Sequence, residues 1–201
     1  MALDNKLNIT DSAELAREEE RISKKKAKEL YDSGYLNKLE AGTFETLAAI
    51  HRYLFSDIYE FAGEIRTVNL AKGSFRFAPL MYLKTALENI DKMPQNTFEE
   101  IVEKYVEMNI AHQFREGNGR ATRIWLDLLF KQEIGKVVDW SFVDKNDYLL
   151  AMERSPIKDI EIKHLLKTAL TDRIDDREIY MKGIDNSYLY EGYQSFITEQ
   201  L

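Results

Sequence analysis

The chain has 201 residues, 44% of them hydrophobic and 31% charged, which is typical of one soluble domain with a sizeable core. Its net charge of -7 argues against bulk attraction to nucleic acid or anionic membranes, and the absence of cysteine excludes disulfides, thiol catalysis and cysteine-ligated zinc. The N-terminus lacks a signal-peptide pattern, and no apolar run approaches the roughly 18 residues that span a bilayer. We therefore expect a cytoplasmic protein without direct binding to nucleic acid or membrane.

The first half of the chain predicts helices and one hairpin. Residues 1–10 are expected to form a loose tail, followed by a helix from DSAE at 11–14 to about Asp32, with the lysine run 24–26 on its solvated face. A second helix is predicted over 43–55. The segment GEIRTVNLAKGSFRFAP, 63–79, alternates apolar and polar residues around AKG, which predicts a β-hairpin and the only β structure.

The second half predicts helices alone. They are expected at 80–92, 97–112, after residue 120, 142–154, 157–170 and from 184 to the end of the chain. Thr97 and Glu100 fit a capping box, and Gly135 fits a helix terminator. The helix after residue 120 has a predicted buried face of Ala121, Ile124, Trp125, Leu128 and Leu129. With no linker, the chain reads as a single all-α domain over 1–201, a helical bundle with one small β-hairpin.

The stretch HQFREGNGR, 112–120, joins two of these helices with polar and flexible residues. Gly117 and Gly119 flank Asn118, so the backbone is expected to form a concave nest of N–H groups at a helix N-terminus, where phosphate binds well. Arg120 and Arg123 lie on one face of the first turn, where the helix dipole disfavours cations unless a polyanion is present. The alternative is that these arginines bridge to carboxylates elsewhere.

Two other side chains of this stretch suggest chemistry. Glu116 beside a phosphate nest is a candidate Mg²⁺ ligand, and His112 at its mouth is a candidate general base. Phe114 is expected to anchor the loop in the core, while His51 and His164 are interpreted as structural. The residues alone predict a magnesium–nucleotide site for phosphoryl or nucleotidyl transfer.

The longer stretch HQFREGNGRATR matches every defined position of the Fic motif H-x-F-x-[D/E]-G-N-G-R-x-x-R. IHRYLFSDIYEFAGEIR, 50–66, also resembles the helix and turn before the family's target-binding flap, and KGSFRFAP, 72–79, resembles the flap. The chain thus resembles a Fic protein over roughly 27–192. This resemblance implies the Fic fold and transfer of AMP from ATP to a Tyr, Ser or Thr hydroxyl of a protein.

The resemblance also implies roles for single residues. His112 would take the hydroxyl proton, Glu116 would hold Mg²⁺, and the nest at Gly117, Asn118 and Gly119 would cradle phosphate oxygens. Arg120 and Arg123 would neutralise the outer phosphates. The flap would hold the target by strand addition through Lys72, Gly73, Ser74, Phe75, Arg76 and Phe77. Phosphorylating relatives have lysine at the position of Gly119, so this glycine favours AMP transfer.

The C-terminal stretch SYLYEG, 187–192, resembles the inhibitory motif [S/T]-x-x-x-E-[G/N] of Fic proteins whose terminal helix blocks the site. Ser187 and Glu191 would share a helix face, with Gly192 following, and Glu191 would pair with Arg123. SFITE, Ser195 to Glu199, has the same spacing but lacks the following Gly or Asn. Tyr188 is the first candidate for self-modification that would release the helix.

Several alternatives stay open. The site would also suit a nucleotide-sensing binding module, transfer of another nucleotide, or removal of AMP. The resemblance suggests a type II topoisomerase as the target, either DNA gyrase, through its B component, or topoisomerase IV. It also suggests self-association into a homo-oligomer.

Overall fold

The computed structural model describes residues 2–72 and 75–201. Within these ranges the chain forms eight α-helices: α1 Ser12–Asp32, α2 Phe44–Phe55, α3 Leu80–Asp91, α4 Phe98–Ala111, α5 Asn118–Ile134, α6 Lys145–Arg154, α7 Ile160–Ala169 and α8 Arg177–Tyr190. Short 3₁₀ turns lie at Tyr35–Lys38, Trp140–Phe142 and Thr198–Gln200. None of the helices in the described ranges is both long and apolar enough to cross a membrane.

Helix starts follow the capping signals of the sequence. Asp11 accepts a hydrogen bond from the Glu14 N–H at 2.8 Å at the start of α1. Thr97 and Glu100 form the expected reciprocal box at α4. Gly135 ends α5 in the left-handed region with φ 63. Local sequence therefore predicted most helix boundaries to within a few residues.

The core is built around α5, which packs against α2, α4 and α8. Its predicted apolar face is confirmed as buried, and Trp125 and Leu129 have no exposed surface. Helix α1 packs across α2 and α8 on the other side. This arrangement brings the C-terminal end of α8 close to the start of α5.

Two small antiparallel sheets accompany the helices. Strands β1 (Ala71–Lys72) and β2 (Phe75–Arg76) form the expected hairpin, with Ala71 opposite Arg76. Strands β3 (Val137–Val138) and β4 (Leu170–Thr171) form a second sheet between the end of α5 and the end of α7. The expectation that the hairpin is the only β structure is therefore wrong.

The N-terminal segment is ordered against the body, so the expectation of a loose tail over 1–10 is wrong for residues 2–10. Asn5 folds the segment by donating to Leu3 O and Ile9 O at 2.8 Å and by accepting from the Leu7 and Ile9 amides. The Lys6 amide donates to Ile58 O at 2.8 Å, and the apolar side chains of the segment pack on the core.

Two further expectations differ from the structure. Helix α8 begins at Arg177 and ends at Tyr190 rather than running from 184 to 201, because Asp176 caps its start and the chain turns away at Gly192. Lys24, expected on a solvated face, is 1% exposed. It pairs with Glu20 at 3.0 Å and Asp185 at 3.1 Å, since α8 covers this side of α1.

Candidate active site

His112 lies at the C-terminal end of α4 and faces the root of the hairpin. It is the C-cap residue and adopts a left-handed backbone with φ 48, which is uncommon for a residue with a side chain. Its half-buried imidazole stacks on Phe77, with ring centroids 3.6 Å apart. The candidate base is therefore held beside the strand that the sequence assigned to target binding.

The loop between His112 and α5 is held by its own side chains. Phe114 is fully buried, as expected, and stacks on His51 with centroids 3.9 Å apart. The Asn118 amide accepts from Phe114 N at 2.8 Å and donates to Phe114 O at 2.7 Å. The Asn118 side chain thus fixes the loop, and only its backbone N–H remains for the predicted phosphate role.

Gly117 provides the turn into α5. Its φ of 74 is left-handed, and an added Cβ would lie 2.6 Å from Phe55 Cε2. The first N–H groups of α5 follow directly and have no partner within the helix, so they carry the positive end of the helix dipole. This confirms the turn that the sequence predicted and gives α5 an N-terminal end of the kind that suits an anion.

Gly119 matters for space rather than for backbone freedom, because it lies inside the first turn of α5. A Cβ at this position would lie 2.3 Å from Glu191 Oε1 and 3.0 Å from both terminal nitrogens of Arg123. Glu191 and Arg123 therefore reach across the start of α5, where Gly119 is half-buried and where the sequence predicted that phosphates bind.

Glu116, the candidate Mg²⁺ ligand, lies at the turn into α5 with part of its carboxylate exposed. Its Oε1 accepts from the Gly117 N–H at 2.9 Å and from Arg120 Nη2 at 3.0 Å, while the side chain is 39% exposed. Both hydrogen bonds use Oε1, so neither of them occupies Oε2. Within the described residues no group of three or more acidic or histidine side chains could hold a metal by itself. The donor set suits Mg²⁺ bound mainly by phosphate oxygens and water.

Arg120 takes the alternative role that the sequence left open. It is 1% exposed, and its Nη1 donates to Glu19 Oε1 on α1 at 2.5 Å. Its guanidinium also lies against the rings of Phe55, Tyr188 and Tyr193. Because its donors point to Glu19 and Glu116, Arg120 ties α5 to α1, and its ion-pair partners differ from that of Arg123.

Arg123 is also buried, but its partners belong to the C-terminal part of the chain. Nε donates to Ser187 Oγ at 2.7 Å, and Nη2 donates to Ser187 O at 2.9 Å and to Glu191 Oε1 at 2.7 Å. Nη1 donates to the Tyr148 hydroxyl at 3.1 Å. Burial opposes the charge, but Tyr148 and Glu191 raise the pKa of Arg123 above its ordinary value. The expected contact between Glu191 and Arg123 is therefore present.

The end of α8 explains the spacing of its motif. Ser187 lies in the last turn and Glu191 is the C-cap, so both reach Arg123 from one side. Gly192 follows with φ 93, and the amides of Gly192 and Tyr193 return to the carbonyls of Leu189 and Tyr188. A residue that tolerates the left-handed region is needed here for the helix to stop at Glu191.

The competing segment, Ser195 to Glu199, does not reach Arg123. The Ser195 amide donates to both oxygens of Glu20, and Glu199 pairs with Arg177 at 2.6 Å on the surface. Tyr188, the candidate for self-modification, is 1% exposed, and burial raises its pKa to about 12. Its hydroxyl is reachable only after α8 has moved.

The hairpin residues are described in part. Lys72 and Phe75 pair through their backbones, and Arg76 pairs with Ala71. Gly73 and Ser74, which the sequence assigned to the flap, lie outside the described residues. Phe77 contacts His112, and the next amide, Ala78 N–H, donates to Ile110 O at 3.1 Å. The hairpin is therefore anchored to the end of α4.

Four residues that contact the site were not predicted to do so from the sequence. They are His51, Glu19, Arg66 and Tyr148. Glu19 and Tyr148 lie far from residues 112–123 in the chain, so no local spacing indicates them. His51 and Arg66 lie inside IHRYLFSDIYEFAGEIR, the segment that resembles the helix and turn before the flap, but a sequence match does not reveal which way a side chain points.

A protein-family model and several curated proteins are similar to this chain. The model described as the Fic/DOC family matches residues 41–130, which include the loop after α4. A Sinorhizobium fredii protein named probable protein adenylyltransferase y4lH is 30% identical over 165 residues, covering 76% of this chain and 82% of that protein. The protein adenylyltransferase VbhT of Bartonella schoenbuchensis is 29% identical over 198 residues, covering 92% of this chain and 41% of that protein.

Solved structures share the fold. BepC of Bartonella tribocorum, a VirB-translocated effector with bound AMPPNP, has a TM-score of 0.68 at 22% identity over 85% of this chain and 93% of that one. The N-terminal Fic domain of Bep8 from Bartonella sp. 1-1C has a TM-score of 0.70 at 19% identity over 86% of this chain and 92% of that one. The expected Fic fold is thus confirmed, and the y4lH match over most of both chains shows that this chain belongs to the Fic/DOC family.

Proposed function

We propose that this protein transfers AMP from ATP to a hydroxyl of a target protein. The observation that carries the proposal is the position of His112, which is fixed between the hairpin root and the loop that opens α5. The names of its relatives, several of which are protein adenylyltransferases, support the same reaction.

The reaction follows from what each group contributes. His112 accepts the proton of the target hydroxyl, whose oxygen attacks the α-phosphorus of ATP. A new P–O bond forms while the bond to the β-phosphate breaks, and pyrophosphate leaves with its negative charge. The free N–H groups of α5 stabilise the phosphate oxygens, and Arg123 binds the outer phosphates when it is free of Glu191. Glu116 Oε2 would hold Mg²⁺, which supplies positive charge to the phosphates.

We further propose that Glu191 inhibits the enzyme. Its carboxylate occupies Arg123 and extends over Gly119, so it competes with the anionic phosphates for the same guanidinium and the same helix end. Hydrogen bonds to a charged group contribute about 1.5–3 kcal/mol. Loss of such a contact would raise the population of the competent state about tenfold to a hundredfold.

The test compares labelling of protein from labelled ATP and Mg²⁺ by the wild type and variants. Glu191→Gly should label about tenfold to a hundredfold more than wild type, and Glu191→Gly with His112→Ala should not label. Glu199→Gly is the matched control, because Glu199 has the competing motif spacing yet pairs with Arg177.

Other outcomes would redirect these proposals. Equal labelling by wild type and Glu191→Gly would reject inhibition by Glu191. ATP binding in calorimetry without transfer by Glu191→Gly would identify a nucleotide-sensing binding module. Transfer from GTP or UTP in preference to ATP, or removal of AMP from a modified protein, would change the donor or the direction of the reaction.

The target and the regulation rest on the family resemblance. We propose the B component of DNA gyrase, or topoisomerase IV, as the target, held by strand addition to the hairpin beside His112. Mass spectrometry of a bacterial lysate treated with Glu191→Gly would identify the modified protein and residue. Self-modification at Tyr188 requires prior movement of α8, because the hydroxyl is buried. Labelling that changes with protein concentration would indicate regulation by a homo-oligomer.

A further inference from the structure

Arg66 is a buried arginine at the base of the hairpin. It is 3% exposed, and the ion pairs found in residues 2–72 and 75–201 do not include it. Burial lowers its pKa from the ordinary value. A buried guanidinium is costly unless hydrogen bonds satisfy it, so its partners should show why the fold retains it here.

The partners of Arg66 are backbone carbonyl groups in two places. Nε donates to His112 O at 2.8 Å, and Nη2 donates to Ala111 O at 3.3 Å, both at the end of α4. Nη1 donates to Val68 O at 2.6 Å, and Nη2 also donates to Ala78 O at 2.5 Å. The Arg66 amide adds a bond to Gln113 O at 2.8 Å.

The contacts at the C-terminal end of α4 stabilise the positive charge of Arg66. The last carbonyls of a helix have no partner within the helix and form the negative end of its dipole. Ala111 ends α4 and His112 caps it, so the guanidinium satisfies carbonyls that would otherwise be buried without a donor. The cation is thus stabilised without a carboxylate partner.

The same contacts join two functional parts. Val68 precedes β1 and Ala78 follows β2, so Arg66 holds both arms of the hairpin root. It holds them to the backbone of His112, whose left-handed conformation costs about 1–2 kcal/mol for a residue with a side chain and needs external support. One side chain therefore links the candidate base to both arms of the hairpin, in addition to the Phe77 ring and the Ala78 amide.

We propose that Arg66 is a positioning residue for AMP transfer, which fixes the backbone of His112 and both arms of the hairpin in one geometry. The inference rests on the proposed function and adds a residue that acts through His112 without touching substrate. Only a planar guanidinium donates in several fixed directions at once, so lysine would keep the charge and lose most of these bonds.

The activity arm uses the full-length chain with Glu191→Gly, so that inhibition does not mask the effect. Arg66→Lys should lower kcat for protein labelling about tenfold, and Arg66→Ala about a hundredfold, because displacement of a reacting group by about 1 Å has effects of this size. The KM for ATP should change less than about twofold, because Arg66 does not contact the start of α5. Arg52→Lys is the matched control, since Arg52 is exposed and pairs loosely with Glu64 at 3.6 Å.

A second arm does not depend on activity. Nuclear magnetic resonance spectra of isotope-labelled Arg66→Lys should show shifted amide and imidazole signals for His112, with unchanged signals for exposed His164. Shifted His112 signals would support the positioning of His112 by Arg66. If no AMP transfer is found in the same experiments, the proposed function fails, but the positioning of His112 does not. Unchanged His112 signals and a kcat like that of Arg52→Lys would overturn it. So would a loss of labelling that only follows the folded fraction measured by thermal unfolding.

Discussion

At the scale of single residues, His51 shows how a buried imidazole supports the loop through hydrogen bonds at both ring nitrogens. The Gly63 amide donates to Nδ1 at 2.9 Å, so the ring proton lies on Nε2, which donates to Glu116 O at 2.8 Å. Burial lowers the pKa of His51 from 6.5 to about 3. Protonation of Nδ1 would break the hydrogen bond that this nitrogen accepts from the Gly63 amide, and this loss also favours the neutral ring.

This pKa shift predicts a pH dependence of stability. Between pH values of about 6.5 and 3, the unfolded chain binds a proton at His51 and the folded chain does not, so stability falls as the pH falls through this window. From about pH 7 to about pH 5, the loss from this residue should be about 2 kcal/mol. Urea unfolding at both pH values should show this loss in wild type and not in His51→Gln.

The control for that measurement is His164→Gln, because His164 is exposed on α7. Carboxylates also titrate in this range, but they are common to all three proteins and cancel in the comparison. An equal pH effect in wild type and His51→Gln would show that His51 is not neutral in the folded state.

At the scale of elements, the end of α8 shows why a glycine follows Glu191, the glutamate proposed to inhibit the enzyme. Gly192 has φ 93 and an added Cβ would meet nothing within 4 Å, so substitution there has a conformational effect alone. Gly192→Ala should strain the turn by about 1 kcal/mol, whereas Asn tolerates the left-handed region.

The expected result is a few-fold rise in basal labelling by Gly192→Ala, because the strained turn moves Glu191 from Arg123. Gly192→Asn should stay close to wild type. Labelling assays with wild type, both variants and Glu191→Gly test this order. If Ala and Asn raise labelling equally, the left-handed turn does not hold the glutamate in place.

The elements that the sequence predicted well are those with local signals. Apolar periodicity and caps such as Thr97 locate helices because the relevant contacts are a few residues apart. The strand pair β3–β4 joins two-residue segments on either side of α6 and α7, so no periodicity indicates it. The start of α8 carried a usable signal in Asp176, which accepts from the amides of Glu178 and Ile179.

At the scale of the whole molecule, α1 connects the active-site loop to the C-terminal segment through buried charges. Glu19 accepts from Arg120 and from the hydroxyls of Tyr59 and Tyr193. The next residue, Glu20, binds the amides of Ser195 and Phe196. The segment that follows Glu191 is therefore fastened to the same helix that holds Arg120.

The motif brought together residues that lie close to one another in the fold. It did not predict that its two arginines would have different ion-pair partners. Arg120 and Arg123 have the same type and lie three residues apart, yet one pairs with Glu19 and the other with Glu191. The partners are set by how α1 and α8 pack on α5, which is a long-range property of the fold. The glycine nest, the helix end and the family resemblance therefore led to phosphate roles for both, with pairing to carboxylates left as the alternative.

The pairing of Arg120 with buried Glu19 predicts that removing the Glu19 carboxylate lowers the free energy of unfolding strongly. Glu19→Gln removes the carboxylate opposite a guanidinium that is 1% exposed, and breaking a buried pair of this kind costs about 3 kcal/mol or more. The neighbouring Glu18→Gln is the matched control, since Glu18 forms a partly exposed pair with Arg21 at 2.8 Å and should cost less than about 1 kcal/mol. Urea unfolding followed by the fluorescence of buried Trp125 and Trp140 measures both. If the two variants lose the same stability, Arg120 is satisfied by Glu116 and solvent, and α1 is not the support that holds the loop and the C-terminal segment together.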